Sequence, residues 1–133
     1  MLFLDTSALV KRYVEEAGTD VVLRRTSEDP LWVVSALARP EAEIVLCRLG
    51  FDPADPEGPW PRLREDWDRC HVVPVDAACL ERAAEIGCRF GVRTLDAVHL
   101  AAADRLPRPV TVLTFDRRLA EAARALDLAA EGA

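Results

Sequence analysis

Two aspartates, Asp5 and Asp116, each follow a short run of apolar residues and precede a stretch with helical spacing. A short, unbroken apolar run is typical of a strand buried in a parallel sheet. Because ligands bind at the carboxyl ends of such strands, we expect both side chains at one edge of the sheet, where they can do chemistry. The alternative is a purely structural role as a turn residue or helix cap.

Asp96 is a third acid that the sequence directs towards this edge. It lies in the first turn of a helix that Thr94 is expected to cap, where the helix dipole favours its anionic form. It shares a helix face with Leu100 and Ala103, at i+4 and i+7, so it points along an apolar, inward side. Burying a carboxylate costs free energy unless it has a partner, so an acid on an inward face indicates a function. The structural alternative is that Asp96 is a second cap of the helix.

Glu41 is the fourth candidate acid, early in another predicted helix. Its face carries three apolar residues at helical spacing, Leu37, Ile44 and Val45. Glu43 falls on the other side of this helix and is expected to be solvated. Glu41 is therefore the better candidate, provided that Pro40, directly before it, does not break the helix.

Four carboxylates at one edge would repel each other, and some would protonate without compensation. A hard divalent cation such as Mg²⁺ or Mn²⁺ resolves this repulsion, because these ions favour oxygen ligands. A cation held in this way can activate water and stabilise the transition state of phosphodiester hydrolysis. The acids therefore indicate a metal-dependent phosphodiesterase, with structural acids at strand ends as the alternative.

Strands and helices are predicted to alternate along the chain, which is the signature of a parallel sheet with helices on both faces. Strands are predicted at residues 2–4, 31–34, 72–75 and 110–115, and Pro74 places the third of them at a sheet edge. Helices are predicted at residues 7–13, from 19 onward, 36–49, 62–69, 77–90, 95–106 and 117–126. The helix at 36–49 begins nearer residue 39 if Pro40 interrupts it. The length of 133 residues suits one domain.

Composition narrows the class of protein. The net charge of -6 argues against a generic nucleic-acid coat protein, which would be basic, but not against an enzyme that binds nucleic acid locally. No apolar run approaches the ~20 residues that span a bilayer, and no signal peptide is visible, so a cytoplasmic protein without membrane contact is expected. The four cysteines form no zinc pattern and are expected to be small buried apolar residues.

Four segments of the chain resemble the PIN-domain family, and most closely the VapC-type toxins of bacterial and archaeal toxin–antitoxin pairs. The segments are LFLDTSAL at 2–9, VSALARPE at 34–41, RTLDAVHLA at 93–101 and LTFDRRL at 113–119. They occur in order and cover nearly the whole chain, which implies a single PIN domain over residues 1–133. The resemblance implies a three-layer α/β/α fold around a mainly parallel sheet of four to five strands. Pro40 departs from the family pattern.

The resemblance also implies an activity and partners. It implies an endoribonuclease that depends on Mg²⁺ or Mn²⁺, acts as a homodimer on an RNA substrate and is blocked by a small VapB-like antitoxin. It selects Glu41 over Glu43, and it implies that the residues that bind metal and catalyse are Asp5, Glu41, Asp96 and Asp116.

The resemblance is less specific about the neighbours of these acids. Thr6 and Thr114 either orient ligands or water, or act as caps. His99 is expected to be a packing residue, because hard cations favour oxygen over imidazole. Four arginines near the proposed edge are expected either to hold RNA phosphates or to be solvated, namely Arg12, Arg93, Arg117 and Arg118.

Other folds that place an Asp after the first strand fit less well. The haloacid-dehalogenase pattern needs a second Asp where this chain has Ser7, and a response-regulator receiver needs a late lysine, whereas the only lysine is Lys11. Asp5-Thr6-Ser7 is also found in aspartic proteases, but the helical pattern is wrong for an all-β protease. The remaining alternative is a PIN-like RNA-binding or regulatory module without nuclease activity, which would apply if the four acids did not converge.

Overall fold

The structure is a computed structural model that describes residues 1–133. Its five strands are β1 (Leu2–Leu4), β2 (Trp32–Ser35), β3 (His71–Val73), β4 (Thr111–Thr114) and β5 (Ala129–Gly132). Its seven helices are α1 (Thr6–Val10), α2 (Thr19–Glu28), α3 (Ala38–Arg48), α4 (Trp60–Arg69), α5 (Ala77–Phe90), α6 (Thr94–Asp104) and α7 (Arg117–Ala125).

All five strands form one parallel sheet in the order β3-β2-β1-β4-β5. Side chains alternate between the two faces of a strand, so Phe3 of β1 packs against α5, α6 and α7, whereas Leu2 and Leu4 pack against α1 to α4. The prediction of a three-layer α/β/α fold with a mainly parallel sheet of four to five strands is confirmed. The prediction that the third strand is an edge strand is also confirmed.

Strand β1 lies at the centre of this sheet and fixes the position of the first acid. Its three apolar side chains are fully buried, as expected for a strand that is covered on both faces. Leu4 is in register with Val34 of β2 and with Leu113 of β4. Asp5 therefore leaves the sheet beside Thr114, and Asp116 follows two residues later at the same edge.

Pro40 does not interrupt α3. The helix begins at Ala38, so the proline lies in the first turn, where backbone N–H groups have no partner within the helix. The predicted apolar face of this helix is wrong, because the buried residues are Ala38, Ala42 and Leu46, while Ile44 is exposed.

Several local predictions need correction. Thr94 is the first residue of α6 rather than its cap, and the N-cap position is occupied by Arg93 without a side-chain hydrogen bond. Only Cys79 among the four cysteines is buried, and all four are free thiols. Strand β5 lies outside every predicted element, because it is short, mostly exposed and follows no apolar run. No helix is both long and apolar enough to cross a membrane.

Candidate functional site

Asp5 is held rigidly at the end of β1. It is the N-cap of α1: its Oδ1 accepts hydrogen bonds from the Ala8 N–H at 2.9 Å and from the Ser7 hydroxyl at 2.7 Å. Its Oδ2 accepts a hydrogen bond from the Thr114 hydroxyl at 2.5 Å. Only 4% of the residue is exposed, and this burial raises the pKa of Asp5, although the hydrogen bonds oppose the shift. The capping role and a functional role are therefore compatible, because the carboxylate is aimed and fixed.

Hydroxyl groups tie the ends of β1 and β4 together. The Ser7 hydroxyl accepts a hydrogen bond from the Phe115 N–H at 3.0 Å, and the Thr114 hydroxyl accepts one from the Asp116 N–H at 3.1 Å. Asp5 and Asp116 are thus connected through the single side chain of Thr114. Thr114 orients an acid, which is one of the two roles that the sequence left open.

Glu41 turns towards the same edge from α3. Its Oε1 accepts hydrogen bonds from the Thr6 hydroxyl at 2.7 Å and from Nε2 of His99 at 2.5 Å. Burial acts to raise the pKa of Glu41, but the hydrogen bonds from His99 and Thr6 prevail and hold it below its ordinary value. Glu43 instead pairs with Arg39 at 2.9 Å on the outer side of the helix. The geometry thus favours Glu41 over Glu43, as the sequence did.

His99 makes polar contacts in addition to packing in the core. It is 2% exposed, which agrees with the expected packing role, but its ring also contacts Glu41 and Thr6. Because an ionised carboxylate only accepts hydrogen bonds, Nε2 of His99 carries the proton in the contact with Glu41. Its Nδ1 is buried without a hydrogen-bond partner. In the sequence, the only indication of a role for His99 is its position three residues after Asp96. That spacing does not indicate the contact with Glu41, because Glu41 lies on another helix.

Asp96 and Asp116 share one guanidinium. Nε of Arg93 lies 3.3 Å from Oδ2 of Asp96, and its Nη2 lies 3.5 Å from Oδ2 of Asp116. Oδ1 of Asp116 accepts a hydrogen bond from the Leu119 N–H at 3.0 Å, which caps α7. Both aspartate side chains are partly exposed, at 21% and 30%. These two acids are therefore open to a ligand, whereas Asp5 lies beneath them.

Two adjoining depressions connect three of the four acids, and Asp5 lines neither of them. The larger, of about 470 Å³, is lined on its polar side by Asp96 and Asp116 together with Arg93, Arg117 and Arg118. The smaller, of about 290 Å³, is lined by Glu41 and shares Asp96 and Arg93 with the larger one. Asp96 therefore faces Asp116 on one side and Glu41 on the other.

The side chains as they stand do not form a complete metal cage. No group of three or more His, Cys, Asp or Glu side chains is placed so that it could hold a metal ion. Asp5 and Glu41 are satisfied by hydroxyl groups and His99, and Arg93 lies against the other two acids. The donors fit a hard cation nonetheless, because all are carboxylate oxygens and two of them already contact a positive charge.

Arg12 does not belong to the site. Its Nε donates to Oδ2 of Asp66 at 3.0 Å, its Nη1 donates to the Thr26 hydroxyl at 2.7 Å, and its guanidinium lies over the Trp32 ring at 4.3 Å. The expectation that Arg12 either holds RNA phosphates or is solvated is therefore wrong, because its charge is already neutralised within the fold. Arg93, Arg117 and Arg118 remain at the edge of the larger depression.

Comparison with known proteins agrees with this architecture. The PIN domain family matches residues 2–125. Two proteins of Mycobacterium tuberculosis are each 36% identical to the chain: Ribonuclease VapC46 over 96% of the chain and 94% of its own length, and Ribonuclease VapC35 over 97% and 94%. Among solved structures, FitAcB from Neisseria gonorrhoeae has a TM-score of 0.69 and 18% identity, covering 99% of this chain and 97% of its own. FitAB bound to a DNA fragment has a TM-score of 0.71 and 18% identity, with coverages of 98% and 94%.

Proposed function

The chain belongs to the PIN-domain family, and from this membership we propose that it is a VapC-like toxin that cleaves RNA as a metal-dependent endoribonuclease. The relatives named as VapC ribonucleases match almost the full length of the chain, and residues 1–133 are proposed to act as a single PIN domain. The observation that carries the proposal is the open depression lined by Asp96 and Asp116. Glu41 adjoins it through a second depression that Asp96 also lines, and Asp5 is linked to Asp116 through the Thr114 hydroxyl.

The residues proposed to hold Mg²⁺ or Mn²⁺ are Asp5, Glu41, Asp96 and Asp116. A bound cation of this kind supplies an activated water and neutralises charge in the transition state of phosphodiester hydrolysis. Asp5 accepts three hydrogen bonds, and a carboxylate has about four acceptor positions, so one position is left for a cation. Thr114 and Ser7 keep the Asp5 carboxylate in place, and Thr6 and His99 do the same for Glu41.

The proposed RNA substrate is consistent with the charges at the edge of the depression. The chain as a whole carries a net charge of -6, so it does not attract RNA generally. Arg117 and Arg118, however, lie beside Asp116 in the larger depression, where they can contact phosphate oxygens. Local contacts of this kind position a strand without reading its bases.

The proposed partners are a second copy of the chain and a VapB-like antitoxin that covers the site. Support comes from the structural neighbours, one of which is described as a toxin–antitoxin complex from Klebsiella pneumoniae, with a TM-score of 0.66 and 15% identity over 87% of each chain. The alternative is a PIN-like RNA-binding or regulatory module without nuclease activity. The observation that favours this alternative is that no three potential ligands are placed to hold a metal ion.

Cleavage of a mixed panel of cellular RNAs by the purified protein separates the two functions. We expect discrete cuts with Mg²⁺ or Mn²⁺ and none with EDTA, since phosphodiester hydrolysis at this edge needs a cation between the acids. Cuts that persist in EDTA would contradict the metal-dependent mechanism. Binding of RNA without any cut, in all three conditions, would favour the regulatory module.

His99 is proposed to act as a positioning residue for Glu41. We expect His99→Leu to weaken both Mn²⁺ binding and RNA cleavage by about tenfold, because partners of metal ligands commonly contribute 10–100-fold. His99→Gln keeps an N–H donor and is expected to restore most of both. Thermal melts of the two variants provide the control. If both variants bind Mn²⁺ as the unaltered protein does, His99 has only a packing role.

A further inference from the structure

Arg93 is the only basic side chain that contacts two of the four acids. Its Nε and Nη2 lie 3.3 Å and 3.5 Å from the Oδ2 atoms of Asp96 and Asp116. The side chain starts at the N-cap of α6, three residues before Asp96, and reaches across to the N-cap of α7. A single positive group therefore spans the gap between two acids that come from different helices.

We propose that Arg93 is an internal counter-ion that occupies the place of the metal ion between Asp96 and Asp116 and leaves it when Mg²⁺ or Mn²⁺ binds. This inference rests on the proposed function, because it takes those two acids as metal ligands. It assigns to Arg93 the role of setting the affinity of the site for the cation. Its support is that one positive group already contacts both acids in the structure.

The geometry indicates that a metal ion can displace Arg93 at a small cost in free energy. The Arg93 side chain is 80% exposed, and both of its contacts are longer than the 2.7–2.9 Å of a strong charge-assisted hydrogen bond. An exposed ion pair of this type is weak, so the guanidinium is easily displaced. When the Arg93 side chain moves fully into solvent, its own charge does not become buried without a partner. The divalent ion carries twice the charge and binds oxygen atoms directly, which favours it over the guanidinium.

The neighbouring arginines show that this placement is particular to Arg93. Arg117 lines the same depression and is 88% exposed, but its ion pair is with Glu121, at 3.4 Å, on the outer side of α7. Arg118 also lines the depression and makes no ion pair with any of the four acids. Arg117 is therefore a matched control for charge, exposure and location.

Titration with Mn²⁺ in the absence of RNA, followed by electron paramagnetic resonance of the free ion, tests the exchange without measuring activity. We expect Arg93→Ala to bind Mn²⁺ about three- to tenfold more tightly than the unaltered protein, which corresponds to the loss of two weak competing ion pairs. Arg117→Ala is expected to change the affinity by less than about twofold. Arg93→Lys keeps the charge but loses the fork that reaches both acids, so its affinity should lie between those of Arg93→Ala and the unaltered protein.

Thermal melting provides a second readout on the same proteins. In EDTA, Arg93→Ala leaves Asp96 and Asp116 without their counter-ion, so its Tm should be slightly lower than that of the unaltered protein. Because the variant binds the ion more tightly, millimolar Mn²⁺ should raise its Tm by more than it raises that of the unaltered protein.

The two hypotheses fail in different ways. If the unaltered protein binds Mn²⁺ and Arg93→Ala binds it equally or more weakly, the exchange is wrong and the metal site stands. An equal gain of affinity in Arg93→Ala and Arg117→Ala would also overturn the exchange, because general repulsion would then explain it. If the unaltered protein binds no Mn²⁺, the metal site proposed above is wrong, and this inference is wrong with it.

Discussion

Replacement of Asp96 by asparagine is expected to reduce RNA cleavage by about 100-fold or more while the protein remains folded, because a metal ligand supplies several kcal/mol of transition-state stabilisation. Asp96 lines both depressions, next to Asp116 in one and Glu41 in the other. Its side chain is partly exposed and makes its only ion pair with the exposed Arg93, so its neutral isostere removes little structure. The measurement is the rate of cleavage of the RNA panel in Mn²⁺ by the variant and the unaltered protein.

Asp20→Asn is the matched control for this variant. Asp20 is likewise an aspartate in the first turn of a helix, but it is exposed on α2 and makes no ion pair. The same change there should leave the cleavage rate within about twofold, since surface substitutions far from special features have small effects. If Asp96→Asn cleaves as fast as Asp20→Asn, Asp96 is not part of the site.

Replacement of Asp66 by alanine is expected to reduce the free energy of unfolding by about 3 kcal/mol. Asp66 is 7% exposed, and its Oδ2 accepts hydrogen bonds from Nε of Arg12 at 3.0 Å and from the Tyr13 hydroxyl at 2.7 Å. Burial, followed by this contact with Asp66, raises the pKa of Tyr13, so its hydroxyl keeps the proton that it donates. Without the carboxylate, the largely buried guanidinium of Arg12 loses the partner of its charge.

Urea denaturation measures this loss, and Asp68→Ala is its control. Asp68 lies two residues away on α4, is exposed and makes no ion pair, so its replacement should change the free energy of unfolding by no more than about 0.5 kcal/mol. Equal stabilities for the two variants would show that the Arg12–Asp66 contact contributes nothing.

The positions of Asp5 and Asp116 could be predicted because they depend on a strong pattern. Apolar runs that end at an acid fix both the strand and the side of the sheet on which the acid emerges, and parallel pairing of β1 with β4 brings the two ends together. The ends of the helices were less predictable. Pro40 is tolerated because α3 begins at Ala38, two residues after the predicted start at residue 36, so that the proline lies in the first turn.

The contacts between the acids and their neighbours could not be predicted from local spacing. His99 meets Glu41 across 58 positions of sequence, and Thr114 meets Asp5 across 109. Such contacts follow from the order of strands in the sheet and from the layer in which each helix packs. The resemblance to a known family supplied the set of acids, but it assigned His99 to packing alone.

The arginines illustrate the same limit. Four of them stood near the proposed edge in the sequence, and the pattern gave no reason to separate Arg12 from Arg93. Arg12 is bound within the fold by Asp66 and Thr26, whereas Arg93 lies against Asp96 and Asp116. Which acid an arginine meets is decided by packing between elements distant in sequence, and local sequence patterns carry no information about that packing.

The central claim is that these four acids hold a divalent cation at the carboxyl edge of β1 and β4. Anomalous X-ray scattering from crystals of the protein grown with Mn²⁺ tests it most directly. The predicted result is a manganese peak among the carboxylate oxygens, in contact with Asp96 and Asp116, with the Arg93 side chain turned away from both. A protein that cleaves RNA in Mn²⁺ but shows no manganese at this edge would contradict the account.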